Sequence, residues 1–190
     1  MTEAKIIRRR DAAATRQAIL ESARSLFARD SFENVGTREI AARAGVDAAL
    51  VSRYFGSKEE LFSQVLCSGK RADDVIGTTL EELPERVAEL LLNPPEKENP
   101  MDDLLILLHS AGSQAASPLV RASIADRFHN PTAKLIGGKN AVIRAQLLGA
   151  ILMGVSVSTT INGRDALPAV DRKKLKARII DLIQKAIDPL

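Results

Sequence analysis

Residues 36–54 read GTREIAARAGVDAALVSRY, and this stretch decides how the rest of the chain is read. Ile40, Ala41 and Ala44 fall on one face at helical spacing, and Gly45 follows them directly. Glycine tolerates the left-handed backbone with which many helices stop. Asp47 can then cap a second helix by accepting from its unsatisfied N–H groups. The pattern predicts two short helices, 36–44 and 47–54, separated by a turn of about three residues. Ile40, Ala41, Ala44, Val46 and Val51 should point inward, with Ala41 small enough for the two helices to approach. Ala48, Ala49, Leu50, Ser52, Arg53 and Tyr54 are left for the outer face and its edges. A helix that presents its first turns outward fits the major groove of duplex DNA, where every base pair shows its own pattern of donors and acceptors.

The flanks supply a scaffold for that pair. Ile19, Ala23, Leu26 and Phe27 lie at i, i+4, i+7 and i+8 on a first helix, with Asp11 as its expected N-cap and Asp30-Ser31 at its end. Ser57-Lys58-Glu59-Glu60 is a capping box that opens a fourth helix with the stripe Leu61, Phe62, Val65 and Leu66. Beyond residue 70 helical spacing continues, and no stretch alternates as a strand would. Helices are expected from Pro84 to Asn93-Pro94-Pro95, from Asn99-Pro100 through Leu104, Leu105, Leu107 and Leu108, and from Ser117-Pro118 to about Phe128. A polar loop at 94–100 and an irregular stretch between Asn130-Pro131 and Gly137-Gly138 separate them. Two long helices, 140–161 and 171–187 with a loop at 162–170, finish an all-α chain.

Composition agrees with a division into two parts. Of the 190 residues, 1–58 hold eleven basic and seven acidic side chains, and the remainder holds sixteen and seventeen. Phe27, Phe32, Tyr54, Phe55 and Phe62 lie in the first third, leaving Phe128 as the one aromatic beyond it. A basic head on a neutral aliphatic body points to nucleic-acid contact at one end. Cys67 has no partner for an intrachain disulfide and reads as a small buried side chain. The N-terminus shows no apolar run of signal-peptide length, so a cytoplasmic location is expected. Residues 145–163 carry no charge, but Gln146, Ser156, Ser158, Thr159, Thr160 and Asn162 argue for burial against protein rather than a membrane span. Ala150, Gly154 and Ser158 form a small-residue seam, and Leu175, Ile179, Leu182, Ile183 and Ala186 recur on the last helix. Two readings stand side by side. The stripes either fill an intrachain core, or Ala150, Gly154, Ser158, Ile179, Leu182 and Ile183 build a symmetric four-helix dimer interface.

Catalytic chemistry finds no support. His109 has no acid at i±3 or i±4, Cys67 has no nearby histidine, and Gly137-Gly138-Lys139-Asn140 lacks the spacing of a phosphate-binding loop. No Cys/His group has metal-ligand spacing, so neither metal nor cofactor is expected.

The runs TRQAILESARSLFARDSF (15–32) and TREIAARAGVDAALVSRYFGSKEELF (37–62) resemble the N-terminal domain of TetR-family transcriptional regulators over about residues 15–66. The resemblance implies a basic, flexible tail at 1–10, a three-helix helix-turn-helix DNA-binding domain at 11–69, and a helical bundle at 70–190 for ligand binding and dimerisation. It further implies a repressor that binds a near-palindromic operator as a homodimer and is released by a small-molecule effector. Thr37 and Lys58 would meet phosphates, Arg38 a guanine edge, and Ser52 and Tyr54 further phosphates. Ala48, Ala49 and Leu50 occupy base-reading positions and can touch thymine methyls, with Arg53 beside them. Four residues depart from the family pattern: Ser31 for Gly, Gly36 for the usual Thr or Ser cap, Ser52 for Tyr, and Tyr54 for His. Lys5, Arg8, Arg9 and Arg10 could extend the contact as a basic arm. A pocket in the body would be aliphatic, suiting an apolar effector, with His109, Gln114, Phe128, His129 and Met153 as its candidate orienting groups. The alternative is a helical ligand-binding or scaffolding protein that does not bind DNA.

Overall fold

The computed structural model describes residues 3–69, 71–93, 100–162 and 168–189. Neither proline nor glycine interrupts the N-terminal 27 residues, and α1 runs unbroken over Glu3–Phe27. The tail expected at 1–10 is therefore helical from residue 3, and Asp11 lies inside the helix instead of capping it. There follow α2 (Thr37–Ala44), α3 (Ala48–Phe55), α4 (Lys58–Ser68), α5 (Ala72–Ile76), α6 (Leu83–Leu92), α7 (Pro100–Ser110) and α8 (Ala116–Ile124). A π turn over Ala125–His129 leads into α9 (Asn130–Ile136), and α10 (Ala141–Asn162) and α11 (Ala169–Ile187) complete the chain. The described residues contain no strand. Most of the loops expected at 94–100 and 162–170 lie outside them.

The chain divides into two units, Met1–Gly69 with Asp102–Ala122, and Lys70–Met101 with Ser123–Leu190. In the first, Phe27, Phe32 and Phe62 form a cluster. Phe62 meets Phe27 edge-on at 4.9 Å and Phe32 at 5.1 Å, and Phe27 and Phe32 are stacked at 5.9 Å. Aromatic pairs of this geometry contribute about 0.5–1.5 kcal/mol each beyond the area they bury. The cluster joins α1, the segment after it and α4, and Ile40, Val51 and Phe55 bring α2 and α3 into the same interior. Residues 102–122, which the sequence places in the body, belong to this unit. Arg24 on α1 pairs with Asp103 on α7 and donates to Ser68 Oγ at the end of α4 at 3.3 Å. No apolar periodicity in the sequence announces that tie.

In the second unit Leu83, Val87 and Leu91 of α6 share a core with Leu148 of α10 and Ile179 and Ile183 of α11. Ile179 and Ile183, expected at a dimer interface, are buried in the chain's own interior and are unavailable to a partner. Leu182, one step round the helix, is exposed, because residues 179, 183, 186 and 187 form the inward stripe. Ala150, Gly154 and Ser158 are also exposed. The short α5 is absent from the sequence expectation, and the passage of helix through Asn130-Pro131 differs from the irregular stretch expected there. Pro131 lacks an N–H and cannot continue an ordinary i→i−4 ladder. The π turn immediately before it accommodates the defect, with Asn130 N–H reaching back five residues to Ala125 O. Cys67 is exposed rather than buried.

On α10, Arg144, Ala145, Leu148 and Gly149 are buried, although this helix is long and apolar enough to cross a membrane. Arg144 is the unusual one, an almost fully buried cation that gathers three main-chain oxygens. It donates to Ile187 O at 2.6 Å, to Lys139 O at 3.0 Å and to Gly137 O. It thereby satisfies carbonyls at the ends of α9 and α11 that no helical N–H can reach. Arg144→Met, which keeps the stem and removes the donors, should lower the urea-unfolding stability by about 2–4 kcal/mol. A change below about 0.5 kcal/mol would show that water serves those carbonyls equally well.

Candidate nucleic-acid interface

The turn between α2 and α3 is closed by backbone chemistry. Gly45 takes φ 68° and ψ 33°, its N–H reaches Ala42 O at 3.2 Å, and Val46 N–H reaches Ala41 O at 3.0 Å. This is the Schellman arrangement, whose left-handed residue is favoured as glycine because no Cβ strains it. Two residues later Asp47 Oδ1 accepts from Ala49 N–H at 2.7 Å and starts α3. Ile40, Ala41 and Val51 are buried beneath the turn, as the sequence predicts, while Ala44 and Val46 are half-buried.

The expected reading residues lie together on this small motif. Arg38 on α2 and Ala48, Ala49, Ser52 and Arg53 on α3 are exposed, and Thr37, Leu50 and Tyr54 are half-buried at the edges. Among the described residues no acidic group or side-chain hydrogen bond engages Arg38 or Arg53, so both guanidinium groups are available to a ligand. The other cations of the motif have internal duties. Arg43 donates to Ser25 Oγ at 2.8 Å, and Arg16 bonds Gln64 and stands 4.9 Å above the Phe55 ring. Lys58, expected at a phosphate, directs its ammonium to Phe32 O at 2.7 Å and Val35 O at 3.1 Å, 4.3 Å from the centre of the Phe32 ring, which leaves its third donor for a ligand. Its position after a cap serine could not reveal this, because the accepting carbonyls are 26 and 23 residues away.

The departures from the family pattern are absorbed locally. Ser31 needs no left-handed backbone, since Asn140 is the one non-glycine residue with positive φ among those described. Asp30 Oδ1 accepts from Asn34 Nδ2 at 2.8 Å and from Ser31 N–H at 2.7 Å, which holds the Asp30 carboxyl below its usual range. Ser57 and Glu60 complete the capping box of α4, with Glu60 N–H to Ser57 Oγ at 3.1 Å and Ser57 N–H to Glu60 Oε2 at 3.2 Å.

The candidate effector residues do not gather in one unit. His109 and Gln114 belong to the first, and Phe128, His129 and Met153 to the second. Gln114 and Met153 are exposed. Phe128 packs half-buried on the body core beside His129, whose imidazole burial keeps below the ordinary histidine range.

Comparison with known proteins agrees with this geometry. The family model "Bacterial regulatory proteins, tetR family" matches residues 19–65, and "Tetracyclin repressor-like, C-terminal domain" matches residues 81–187. No curated protein matches the chain. Among solved structures it is similar to NalD, the secondary repressor of the MexAB-OprM multidrug efflux pump in Pseudomonas aeruginosa, with 21% identity and TM-score 0.67 over 90% of this chain and 96% of that one. A putative tetR family regulator from a Shewanella species gives 20% identity and TM-score 0.68 over 88% and 96%, and Salmonella enterica GusR gives 17% and 0.64 over 90% and 95%. At these identities the likeness is one of fold.

Gly36, the N-cap of α2, adopts φ −94° and ψ 146° and makes no side-chain cap. A Cβ there would meet nothing within 4 Å. Gly36→Ser should therefore raise thermal or urea stability by about 0.5–1 kcal/mol, from a new cap and a less flexible unfolded chain. Destabilisation instead would show that the start of α2 is constrained by something other than its cap.

Proposed function

The chain belongs to the TetR family of transcriptional regulators, and from that premise we propose a homodimeric, effector-released repressor whose two heads read a near-palindromic operator. The observation that carries the reading is the α2–α3 motif, which holds Arg38 and Arg53 exposed and unengaged above a rigid turn. Arg38 and Arg53 reach base edges, Ala48, Ala49 and Leu50 contact thymine methyls, and Thr37, Ser52 and Tyr54 meet phosphates. Since the α3 alanines offer no side-chain hydrogen bonds, DNA shape supplies part of the specificity. The repressor sense follows that of NalD, a repressor it resembles in fold.

The dimer contact rests on α10. Val142, Ile143, Leu147 and Met153 are exposed on this helix together with Ala150 and Gly154, and Leu182 of α11 is exposed as well. An apolar surface of this kind calls for a partner, and in a cytoplasmic regulator a second copy supplies it. The effector is apolar, taken up by the aliphatic body, and shifts DNA affinity only as far as it prefers one body conformation over another.

Selection of duplexes from a random pool tests the reading. The wild-type chain should enrich an inverted repeat, and Arg38→Ala should weaken binding by about 1–3 kcal/mol while relaxing one position in each half-site. An unchanged preference would remove Arg38 from base reading. Failure of the wild-type chain to enrich any sequence would favour a helical ligand-binding protein that leaves DNA alone.

A further inference from the structure

A helix N-cap needs only one acceptor, and Asp47 supplies it with one of its two carboxylate oxygens. Oδ1 accepts from Ala49 N–H at 2.7 Å, while the Asp47 carbonyl accepts from Leu50 N–H at 3.0 Å. Serine or asparagine would cap α3 equally well. What an aspartate adds is a second oxygen and a negative charge. Among the described residues no further donor and no cation engages that carboxylate. Asp47 is exposed, and its side chain is already oriented by the bond to Ala49.

The place of the second oxygen gives it a consequence. Asp47 stands at the start of α3, and the next three residues, Ala48, Ala49 and Leu50, carry no polar side chain. Over residues 47–50 it is therefore the sole side chain able to hydrogen-bond. A recognition helix meets base edges with such N-terminal residues. When water leaves the interface, a carboxylate oxygen must find a donor or bear its full desolvation cost. The four bases differ in what they offer it in the major groove. Guanine shows two acceptors, thymine an acceptor and a methyl, and adenine an acceptor next to its amino donor. Cytosine alone shows a donor with no acceptor.

We propose that Asp47 is a specificity-determining residue, whose Oδ2 accepts from the N4 amino group of one cytosine in each half-site. This rests on the reading of α2–α3 as the DNA-contacting motif, and adds to it an acidic reader that the basic count of the head conceals. The same carboxylate repels phosphate, so it adds nothing to non-specific affinity. Its contribution is discrimination, because a wrong base sets an acceptor against a desolvated negative charge.

Selection from a random duplex pool, with the full wild-type chain and with Asp47→Asn, tests this. Asparagine keeps the cap, and its amide pairs best with adenine N6 and N7. The wild-type chain should enrich a cytosine at one position of each half-site. In Asp47→Asn that position alone should turn to adenine or lose its preference. A wild-type motif without a cytosine-specific position, or a motif that Asp47→Asn leaves unchanged, overturns the proposal while the DNA reading stands. Enrichment of no duplex by the wild-type chain overturns both. A second measurement keeps the wild-type protein and alters the DNA. Replacing that cytosine in one half-site by pyrimidin-2-one, which lacks the 4-amino group, should weaken binding roughly tenfold. Affinity within about twofold of the unmodified duplex would overturn the contact, whether or not Asp47→Asn folds.

Discussion

The contact among Phe27, Phe32 and Phe62 is the constraint on which the reading head depends. It unites α1, the segment that follows it and α4. Helices of eight residues such as α2 and α3 are too short to persist alone, so tertiary packing must hold them. Ile40, Val51 and Phe55 supply that packing by entering the interior the phenylalanines organise. The opposite faces then remain outside without further support. Five of the six aromatic residues lie in the first third because a small unit must obtain much buried area from few side chains.

Polar groups refine what the rings establish. Arg16, Arg24, Arg43 and Lys58 are each engaged inside the first unit, with Gln64, Asp103 and Ser68, Ser25, and two loop carbonyls. Arg38 and Arg53 are not. Net charge in the sequence cannot make this separation, since all six count alike. Basic character marks the head as a whole; geometry separates Arg38 and Arg53 on the α2–α3 motif from the cations engaged around it. The body follows the same division, with Arg144 buried on carbonyls and Lys176 at the surface between Glu85 at 2.6 Å and Glu89 at 2.7 Å. Those two acids raise the Lys176 ammonium above its ordinary value, and at such exposure the pair adds little stability.

The helix-turn-helix was legible because its signals are local. Gly45, Asp47 and the Ser57–Glu60 box act within a few residues of themselves, and Ile40, Ala41 and Val51 follow from periodicity. What escaped the sequence is long-range or depends on angular detail. Leu182 and Ile183 are neighbours of equal hydrophobicity, and which one faces the core is fixed by where α11 lies against α6. Asn130-Pro131 carries the signature of a break, yet a π turn upstream lets the helix pass. The tie from Arg24 to Asp103 spans 79 residues and leaves no pattern. The carbonyl partners of Lys58, 26 and 23 residues away, leave no pattern either.

The central claim is that α2 and α3, held by the aromatic cluster, read duplex DNA in symmetric pairs. Hydroxyl-radical footprinting of the full chain on its selected duplex tests this most directly. The account predicts two protected patches on one face of the duplex, related by a twofold axis and centred about one helical turn, roughly 34 Å, apart or a multiple of it. A single asymmetric patch, or uniform cleavage at concentrations where the chain is folded, would contradict it.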